Sequence, residues 1–439
     1  MSSFSESSLK ISLNFYSFTT FFKITHFRVE KLASFVHCYG TMESGNLLIL
    51  QSGISNVTSN AVLYGMLAEA LNFEIIEEIY GAYNGFEGLA AGQLMDLAAL
   101  SQKKAQLLLS SAGNALHSES GAFKATPHAF EQMVRVLSQK GIRYVGVICD
   151  QETLAYVQNL IEAARQADYE LNVIAIPLSN YNELPMTDHS LGYGSCVKYV
   201  NAYLRAFDAW LEDNRVQVGV CEIEGGNNGW LVASAALNYT VANGKLGSNE
   251  ENLPYIVCLP EQPFNEDTFL DLVKAKVEKF GYVRVITHSQ LVDEEGNSID
   301  FSDYGSTGAY LESLIDSLDY SVQLNLCDLQ LQPLSQFMSK KDVDEAVLCG
   351  RKSLQQMLEE GESDQAAVLV RKEGEREAIY EVRFVKIEEI ASGLKFFPSD
   401  WIAEATSTIQ YALIKYALPL IQGEVAVAYE KGLPQFAQF

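Results

Sequence analysis

Cysteine pairs, long apolar runs and positive charge are what this sequence has least of. Its seven cysteines, an odd number, are widely spaced and form no Cys-x-x-Cys pair. This spacing argues against a disulfide framework and predicts a reducing compartment, so we expect a cytoplasmic protein. No apolar run reaches the length that a membrane-spanning helix needs. The sequence therefore predicts no membrane partner.

Basic residues are strongly outnumbered, with 31 Lys and Arg against 56 Asp and Glu and a formal net charge of −25. A surface this negative repels nucleic acids and anionic lipids. It also disfavours small anions such as phosphate, unless local cations or backbone N–H groups hold them. We therefore expect no nucleic-acid partner, and any phosphate site must have its own basic groups.

What is present is the composition of an ordinary globular protein, 48% hydrophobic and 20% charged over 439 residues, which allows two or three domains. Residues 1–41 differ, because they are rich in Ser and Phe and carry more basic than acidic residues. A transit peptide has such a composition. We favour a natural start at Met42, because MESGNLLILQSG opens directly into a strand and a glycine turn. Residues 1–41 are then a mis-called start or a disordered tail.

From Met42 onward, short apolar runs alternate with stretches of helical periodicity. NLLILQSG, YVGVICD and LNVIAIP are typical of buried strands, and QVGVCEIEGG, LPYIVCLPE and YVRVITH form a second such series. This alternation predicts an α/β protein with two doubly wound, mostly parallel sheets. We predict one domain at 42–185, a second at 186–320, and a mixed α/β segment at 321–439 that completes both.

The stretch PLSNYNELPMTDHSLGYGS, residues 177–195, follows a predicted strand and carries many polar side chains. We call this stretch the signature segment. Open α/β sheets bind ligands at the carboxyl ends of strands. Yet between Pro177 and Pro185 the only carboxylate is Glu183, and there is no Lys, Arg or His. The position predicts a ligand site, whereas the residue types lack a strong base and a phosphate-binding cation.

Eight short blocks, in this order and spacing, carry a resemblance to one family. They are QSGISNVTSNAVLYGML (51–67), YGAYNGFEGL (80–89), SSAGNALHSES (110–120), ICDQET (148–153), the signature segment, EIEGGNNGWLVASAAL (222–237), LPEQPF (259–264) and SKKDVDEA (339–346).

Together the blocks resemble the phosphofructokinases, most closely the pyrophosphate-dependent branch. The resemblance implies two α/β domains facing each other across a cleft, one for the phosphoryl donor and one for fructose 6-phosphate. Family enzymes transfer a phosphoryl group to the sugar's 1-hydroxyl with Mg²⁺. That chemistry needs backbone N–H groups and cations around the phosphates, a metal carboxylate and a carboxylate base.

On the donor side the resemblance places Gly53 and Gly113 at retained glycines. The partner of the first glycine is Ile54, whose branched side chain is expected to crowd a phosphate. Ser120 replaces the family's arginine. Glu152 stands at the position of the metal carboxylate, one methylene longer than the family's aspartate, so Mg²⁺ is the implied cofactor if the protein is active.

In the signature segment the family's lysine is Leu178, its threonine is Ser179 and its second aspartate is Glu183. The catalytic aspartate is Tyr181. A tyrosine hydroxyl has a reference pKa of about 10 against about 4 for aspartate, which makes it a poor base near pH 7. We interpret Tyr181 as a filler of the vacated base position, and assign no catalytic residue.

On the sugar side the family's Met-Gly-Arg is Glu224, Gly225 and Gly226, so an arginine is lost. The glutamate that holds sugar hydroxyls falls at His288, and a further arginine falls at Gln332. These losses predict weak binding of fructose 6-phosphate and pyrophosphate.

The leading hypothesis is a pyrophosphate-dependent-phosphofructokinase-like protein that is catalytically impaired or inactive and has a regulatory or partner role, as a homo-oligomer or with an active paralogue. One alternative is a phosphotransferase with weak or altered-substrate activity. Another is a small-molecule or metal sensor, since a set of acidic and imidazole groups falls in the cleft loops and either binds a divalent cation or lines a solvated groove. The set is His117, Glu119, Asp150, Glu152, Glu224 and His288.

Two further interpretations concern the frame. We expect Thr187, Asp188 and His189 to fix the signature segment and cap the long helix that follows it, rather than to act in catalysis. Cys149 is expected to be a small buried hydrophobe. The charges of helix 341–361 are expected to form a solvent-exposed face.

Overall fold

The computed structural model describes residues 43–121, 123–242, 253–327, 335–373, 378–437 and 439. Gln332, a predicted sugar-side position, lies outside these residues. The strands are β1 (Gly45–Gln51), β2 (Ile76–Ala82), β3 (Leu94–Asp96), β4 (Ile142–Cys149), β5 (Asn172–Ser179), β6 (Leu191–Gly192), β7 (Val218–Ile223), β8 (Tyr255–Cys258), β9 (Val283–His288), β10 (Val322–Cys327), β11 (Gln365–Arg371), β12 (Tyr380–Lys386), β13 (Ile402–Ala403), β14 (Thr408–Ile409), β15 (Tyr429–Glu430) and β16 (Leu433–Pro434).

Helices occupy most of the connections between these strands. They are α1 (Ser59–Ala70), α2 (Gly85–Ala90), α3 (Gln102–Leu107), α4 (Pro127–Gln139), α5 (Leu154–Gln166), α6 (Tyr193–Asp213), α7 (Trp230–Ala233), α8 (Ala236–Ala242), α9 (Glu266–Phe280), α10 (Thr307–Asp316), α11 (Lys340–Glu359), α12 (Ile387–Ala391) and α13 (Tyr411–Ala417).

The first sheet has the strand order β12-β11-β5-β4-β1-β2-β3, with β6 also paired to β5. Its five central strands are parallel, and only the pairs β2–β3 and β11–β12 are antiparallel. Strand β1 is apolar throughout because both faces of the sheet are covered: Leu47 and Ile49 join the core on one face, and Leu48 and Leu50 join that on the other. The predicted doubly wound sheet is confirmed here.

The second sheet has the order β10-β7-β9-β8, and all its neighbouring strands are parallel. The α/β class and the two parallel sheets are therefore as the sequence predicts. Strands of the predicted segment 321–439 are divided between the sheets, since β10 joins the second sheet while β11 and β12 join the first. The residue boundaries of the domains stay a prediction.

The carboxyl ends of the two sheets meet. The loop after β5 brings the ring of Tyr181 against Gly226, which follows β7, so close that a Cβ on this glycine would lie 2.9 Å from the ring. A cleft lined by strand-end loops from both sheets is where α/β proteins bind ligands. Among the described residues, none of the helices combines the length and the apolar character needed to cross a membrane.

Candidate functional site

The loop after β1 presents its backbone to the cleft. Gly53 has a φ of +79°, and the amide of Ile54 donates a hydrogen bond of 2.7 Å to Oδ2 of Asp150. A Cβ on Gly53 would lie 2.1 Å from that same oxygen. The Ile54 side chain is 67% exposed. The group that lies against this backbone is thus the Asp150 carboxylate rather than the Ile54 side chain.

The second donor-side loop is fixed by hydrogen bonds to the first. The amide of Gly113 donates to the carbonyl of Asn56 at 3.1 Å. Ser52 Oγ donates to Oε1 of Glu119 at 2.5 Å. Ser120 is exposed and its amide donates to Glu87 Oε2 at 2.9 Å, which lowers the pKa of the Glu87 carboxyl. A short neutral side chain therefore stands where the resemblance predicts the family's arginine.

The third donor-side loop joins β4 to α5. Cys149 is 1% exposed, and burial raises the pKa of its thiol, so the prediction of a buried hydrophobe is confirmed. Asp150 Oδ1 accepts hydrogen bonds from the amide of Thr153 at 2.9 Å and from its hydroxyl at 2.6 Å, just before α5 begins. Glu152 is exposed to solvent.

These three loops surround a cavity of about 330 Å³, which we call the donor-side cleft. Its lining includes the carboxylates of Glu119, Asp150 and Glu152, and none of the described lining residues is Lys, Arg or His. A phosphate in this cleft would meet like charges without a compensating cation.

Metal-binding side chains are not clustered in the described part of the cleft. In the described parts of the chain, no three His, Cys, Asp or Glu side chains are arranged to hold one. His117 is exposed and its ring contacts Tyr83 at a centroid distance of 4.9 Å, whereas His288 is buried. Within the described residues, the predicted set of acidic and imidazole groups is therefore not gathered into one cluster.

The first half of the signature segment turns its altered residues inward. Leu178 is 4% exposed and belongs to the core that also contains Tyr193. Ser179 Oγ accepts from the amide of Tyr181 at 3.1 Å and donates to Glu183 Oε1 at 3.4 Å. Burial raises the pKa of the Glu183 carboxyl. The retained hydroxyl at position 179 thus holds the loop's own conformation.

Tyr181 occupies the space between the two sheets. Its ring packs on Gly226, and burial together with the exposed carboxylate of Glu224 raises the pKa of its hydroxyl above the ordinary value. A hydroxyl whose pKa is raised keeps its proton near neutral pH and cannot accept one from a substrate alcohol. The geometry agrees with the interpretation of Tyr181 as a filler.

On the sugar side, His288 is turned into its own loop. It is fully buried, and a Cβ on Gly225 would lie 2.3 Å from its Nε2. The His288 Nδ1 lies 2.9 Å from the Gln290 amide nitrogen and 3.1 Å from the Gln290 carbonyl oxygen, and burial lowers the pKa of the imidazole. His288 is therefore buried in its own loop and does not open onto the cleft.

The second half of the signature segment is tied to β11 and α11. The Thr187 hydroxyl accepts from the amide of Leu369 at 3.1 Å, and the amide of Asp188 donates to the Leu369 carbonyl at 2.8 Å. His189 is 1% exposed and its Nε2 lies 2.9 Å from Glu345 Oε2. Burial works against charge on this imidazole, but the Asp188 and Glu345 carboxylates outweigh it and raise the pKa of His189. These residues fix the loop, as predicted.

They do not cap α6, however. Gly192 precedes α6 without a side-chain cap of its own. Asp342, from α11, supplies the acceptor: Oδ1 takes the amide of Gly192 at 3.0 Å, and Oδ2 takes the amide and hydroxyl of Ser195 at 2.8 and 2.7 Å. Asp342 and Glu345 are 2% and 5% exposed. The prediction that the charges of helix 341–361 form only a solvent face is wrong at these two residues, because they turn toward the signature segment.

Lys395 is a central residue that sequence reasoning missed. Its Nζ donates to Asn182 Oδ1 at 3.2 Å and to the carbonyl of Asp188, and lies 4.7 Å from the centroid of the Trp230 ring. Its backbone carbonyl accepts from the Trp230 indole at 3.0 Å, and its Nζ lies 3.1 Å from the Tyr416 hydroxyl. Burial lowers the pKa of this amine to about 7.

Two parallel sheets whose carboxyl ends meet at a polar cleft define an α/β protein with a candidate ligand site between the sheets. Residues 46–329 match the family model described as "Phosphofructokinase". The chain belongs to the phosphofructokinase family.

Relatives and solved structures agree with this assignment. The chain is 26% identical over 415 residues to a pyrophosphate–fructose 6-phosphate 1-phosphotransferase of Xanthomonas campestris, covering 90% of this chain and 96% of the relative. It is 27% identical over 212 residues to a sulfofructose kinase of Alkalicoccus urumqiensis, covering 48% of this chain and 53% of that protein. A pyrophosphate-dependent phosphofructokinase structure from Nitrosospira multiformis has a TM-score of 0.80 at 23% identity, covering 89% of this chain and 95% of that one.

Proposed function

We propose that this chain is a pyrophosphate-dependent-phosphofructokinase-like protein that has lost phosphoryl transfer and acts as a folded regulatory or structural partner. The observation that carries the proposal is the donor-side cleft, where Glu119, Asp150 and Glu152 line the cavity without a basic side chain. Pyrophosphate is a polyanion, and two like charges 4 Å apart repel by about 4 kcal/mol at an effective dielectric of 20. A cleft of this composition disfavours the family's donor.

The acceptor side supports the same proposal. A phosphotransferase that uses an alcohol needs a base at the attacking hydroxyl, and losing one costs about 10²–10⁴ in rate. Tyr181 stands at the family's base position with a hydroxyl whose pKa is raised by burial and Glu224. At the family's arginine position stands Gly226, which is covered by the Tyr181 ring. Each charge-assisted hydrogen bond lost to a phosphate removes about 1.5–3 kcal/mol of binding.

A partner role is consistent with what has been kept. Buried hydrogen bonds of Thr187, His189 and Asp342 hold the interdomain frame in place while the cleft positions have changed. The presence of these buried hydrogen bonds indicates that a stable fold is needed even where the cleft residues have changed. We propose assembly with copies of itself or with a catalytically intact paralogue as the use of this frame.

The second candidate is a phosphotransferase acting on a different sugar. It is favoured by one comparison, since the similar proteins include one named as a sulfofructose kinase. Under this hypothesis, the loss of basic groups on the sugar side reflects a changed acceptor. The altered donor-side cleft still has to admit a phosphoryl donor.

A coupled assay tests the proposal. The purified protein is incubated with Mg²⁺, fructose 6-phosphate and either pyrophosphate or ATP, and the Xanthomonas campestris relative is the positive control. We expect a rate at least about 10³-fold below the control, from the missing base and cations. A rate within tenfold of the control overturns the loss of catalysis. Replacing fructose 6-phosphate with sulfofructose tests the second candidate.

The partner role has its own test. The protein is mixed with a paralogue that has lysine and aspartate at the positions of Leu178 and Tyr181, and the mixture is examined by size-exclusion chromatography with light scattering. A mixed species of defined mass supports the role. Two species that elute unchanged, at concentrations well above those in the cell, contradict it.

A further inference from the structure

The donor-side cleft already contains an anion, and that anion is part of the chain. Oδ2 of Asp150 accepts the amide hydrogen of Ile54 at 2.7 Å. A Cβ on Gly53 would lie 2.1, 2.4 and 2.7 Å from the three carboxyl atoms of Asp150. The whole carboxylate therefore rests on the backbone of the loop that follows β1.

Backbone amides in a glycine turn after a strand are a general anion-binding device. A carboxylate oxygen and a phosphate oxygen make the same demand on such an amide, namely one acceptor lone pair along the N–H direction. Because the amide of Ile54 is already paired to a charged acceptor, an incoming phosphate must displace that acceptor to use it.

Asp150 is held in this position from its other side. Its Oδ1 accepts from the amide and the hydroxyl of Thr153, at 2.9 and 2.6 Å. Both carboxylate oxygens are thus used, one for the loop after β1 and one for the residue that precedes α5. A group that is fixed in advance binds without a further loss of conformational entropy, so a free anion competes with it at a disadvantage.

We propose that Asp150 is an internal ligand of the loop after β1, and that its carboxylate keeps inorganic pyrophosphate and the phosphates of nucleotides out of the donor-side cleft. This inference deepens the proposed function, on which it rests, by naming the residue that closes the cleft. Ser52 and Glu119, joined at 2.5 Å, form a second pair in the same cleft that adds negative charge but does not touch the Ile54 amide.

Three variants separate this role from a general effect of charge. Asp150→Gly removes the carboxylate and both sets of hydrogen bonds. Asp150→Asn removes the charge and keeps one oxygen, which retains an acceptor for Thr153. Glu152→Gln is the matched control, because it removes one negative charge from the lining of the same cleft while the residue is exposed.

The first measurement is hydrogen exchange of the Ile54 amide without ligand. We expect exchange to be at least about tenfold faster in Asp150→Gly than in the wild type, as the loss of one charge-assisted hydrogen bond predicts. Glu152→Gln is expected to exchange at the wild-type rate. An unchanged rate in Asp150→Gly overturns the inference, provided that circular dichroism shows the variant folded.

The second measurement is calorimetric binding of inorganic pyrophosphate. We expect the affinity of Asp150→Gly to exceed that of the wild type by about tenfold or more, with Asp150→Asn intermediate. Glu152→Gln is expected to give a smaller gain than Asp150→Asn, because it relieves only charge repulsion and frees no backbone amide. Equal gains for Asp150→Asn and Glu152→Gln assign the effect to charge alone and overturn the role of Asp150 as a ligand. If Asp150→Gly does not fold, this comparison of the two isosteric variants decides.

The outcomes also distinguish the inference from the proposed function. Turnover by the wild type, together with a gain of pyrophosphate binding in Asp150→Gly, removes the proposed loss of catalysis and reduces the role of Asp150 from exclusion of the donor to competition with it. No turnover and no gain in binding removes only the role of Asp150. Turnover without any effect of Asp150→Gly removes both.

Discussion

Residues 177–183 and residues 184–195 are adjacent in the chain, yet they differ in how far they match the family resemblance. The first stretch carries Leu178 and Tyr181, where the resemblance predicts a lysine and an aspartate, and both side chains pack against protein. The second stretch keeps Thr187, Asp188 and His189, each bonded to β11 or α11. The difference shows that the chemistry of a cleft and the frame that holds it rest on separate contacts, so one can change without loosening the other.

The largest expected effect comes from removing a frame contact. Asp342→Ala leaves two buried amides and one buried hydroxyl, at Gly192 and Ser195, without their acceptor. We expect the free energy of unfolding to fall by about 3 kcal/mol, measured by urea denaturation. Asp344→Ala, on the same helix, removes an exposed ion pair with Lys340 and is expected to cost under about 0.5 kcal/mol. Similar losses of unfolding free energy in both variants would show that the buried acceptor at Asp342 stabilises the fold no more than the exposed ion pair of Asp344.

The next effect concerns the pH dependence of the frame. Burial lowers the pKa of Lys395 to about 7, against about 10.4 in the unfolded chain. Between these values the unfolded state binds more protons, so stability rises with pH from about 7 to about 10.4, and below pH 7 this amine adds no further pH dependence. The contribution is on the order of 1 kcal/mol per pH unit.

Lys395→Met tests this assignment, because methionine is uncharged and does not titrate. We expect the rise in melting temperature from pH 7 to pH 8 to be smaller in this variant than in the wild type. Lys276→Met is the control, since Lys276 is also buried but its pKa is lowered only to about 8, so its contribution begins at higher pH. If the melting temperature of Lys395→Met rises from pH 7 to pH 8 as much as that of the wild type, the assignment to Lys395 is contradicted.

A smaller effect is expected where the cleft chemistry has changed. Tyr181→Asp restores the family's carboxylate but removes the ring that packs on Gly226. We expect a loss of about 1–2 kcal/mol in stability and no detectable turnover, because the donor-side cleft remains acidic. Tyr181→Phe keeps the ring and is expected to be nearly as stable as the wild type. Turnover in Tyr181→Asp alone would show that the base was the only missing group.

The smallest effect is expected at the donor-side loop. Ile54 is 67% exposed, so Ile54→Ala removes little buried surface. The free energy of unfolding is expected to change by no more than about 0.5 kcal/mol, and pyrophosphate binding is expected to stay as in the wild type. A marked gain in pyrophosphate affinity would assign the closure of the cleft to the Ile54 side chain instead of Asp150.

Much of the fold was predictable because its signals are local. Runs such as LLIL in β1 and VGVI in β4 are apolar on both faces, which only a covered parallel sheet requires. The burial of Cys149 followed from its place on such a strand. The class of the protein thus depended on patterns that extend over a few residues.

The contacts that hold the site were less predictable because their partners are far apart in sequence. Asp342 reads as one of several acidic residues on an amphipathic helix, and its partners at Gly192 and Ser195 lie on another element. The pairing of Asp150 with the Ile54 amide joins the ends of two different strands. Residue type alone predicted an acidic cleft, whereas the direction in which each carboxylate points followed only from the structure.

The place of β11 has a consequence for how this protein is made. Gln365 pairs with Ile174, so the edge of β5 that faces away from β4 acquires β11 only after most of the chain has left the ribosome. Until then β5, apolar on both faces, is an open edge that is able to pair with the same strand of another nascent chain. We expect synthesis of this protein to depend on chaperones that shield that edge, and its yield to fall sharply when translation outpaces them.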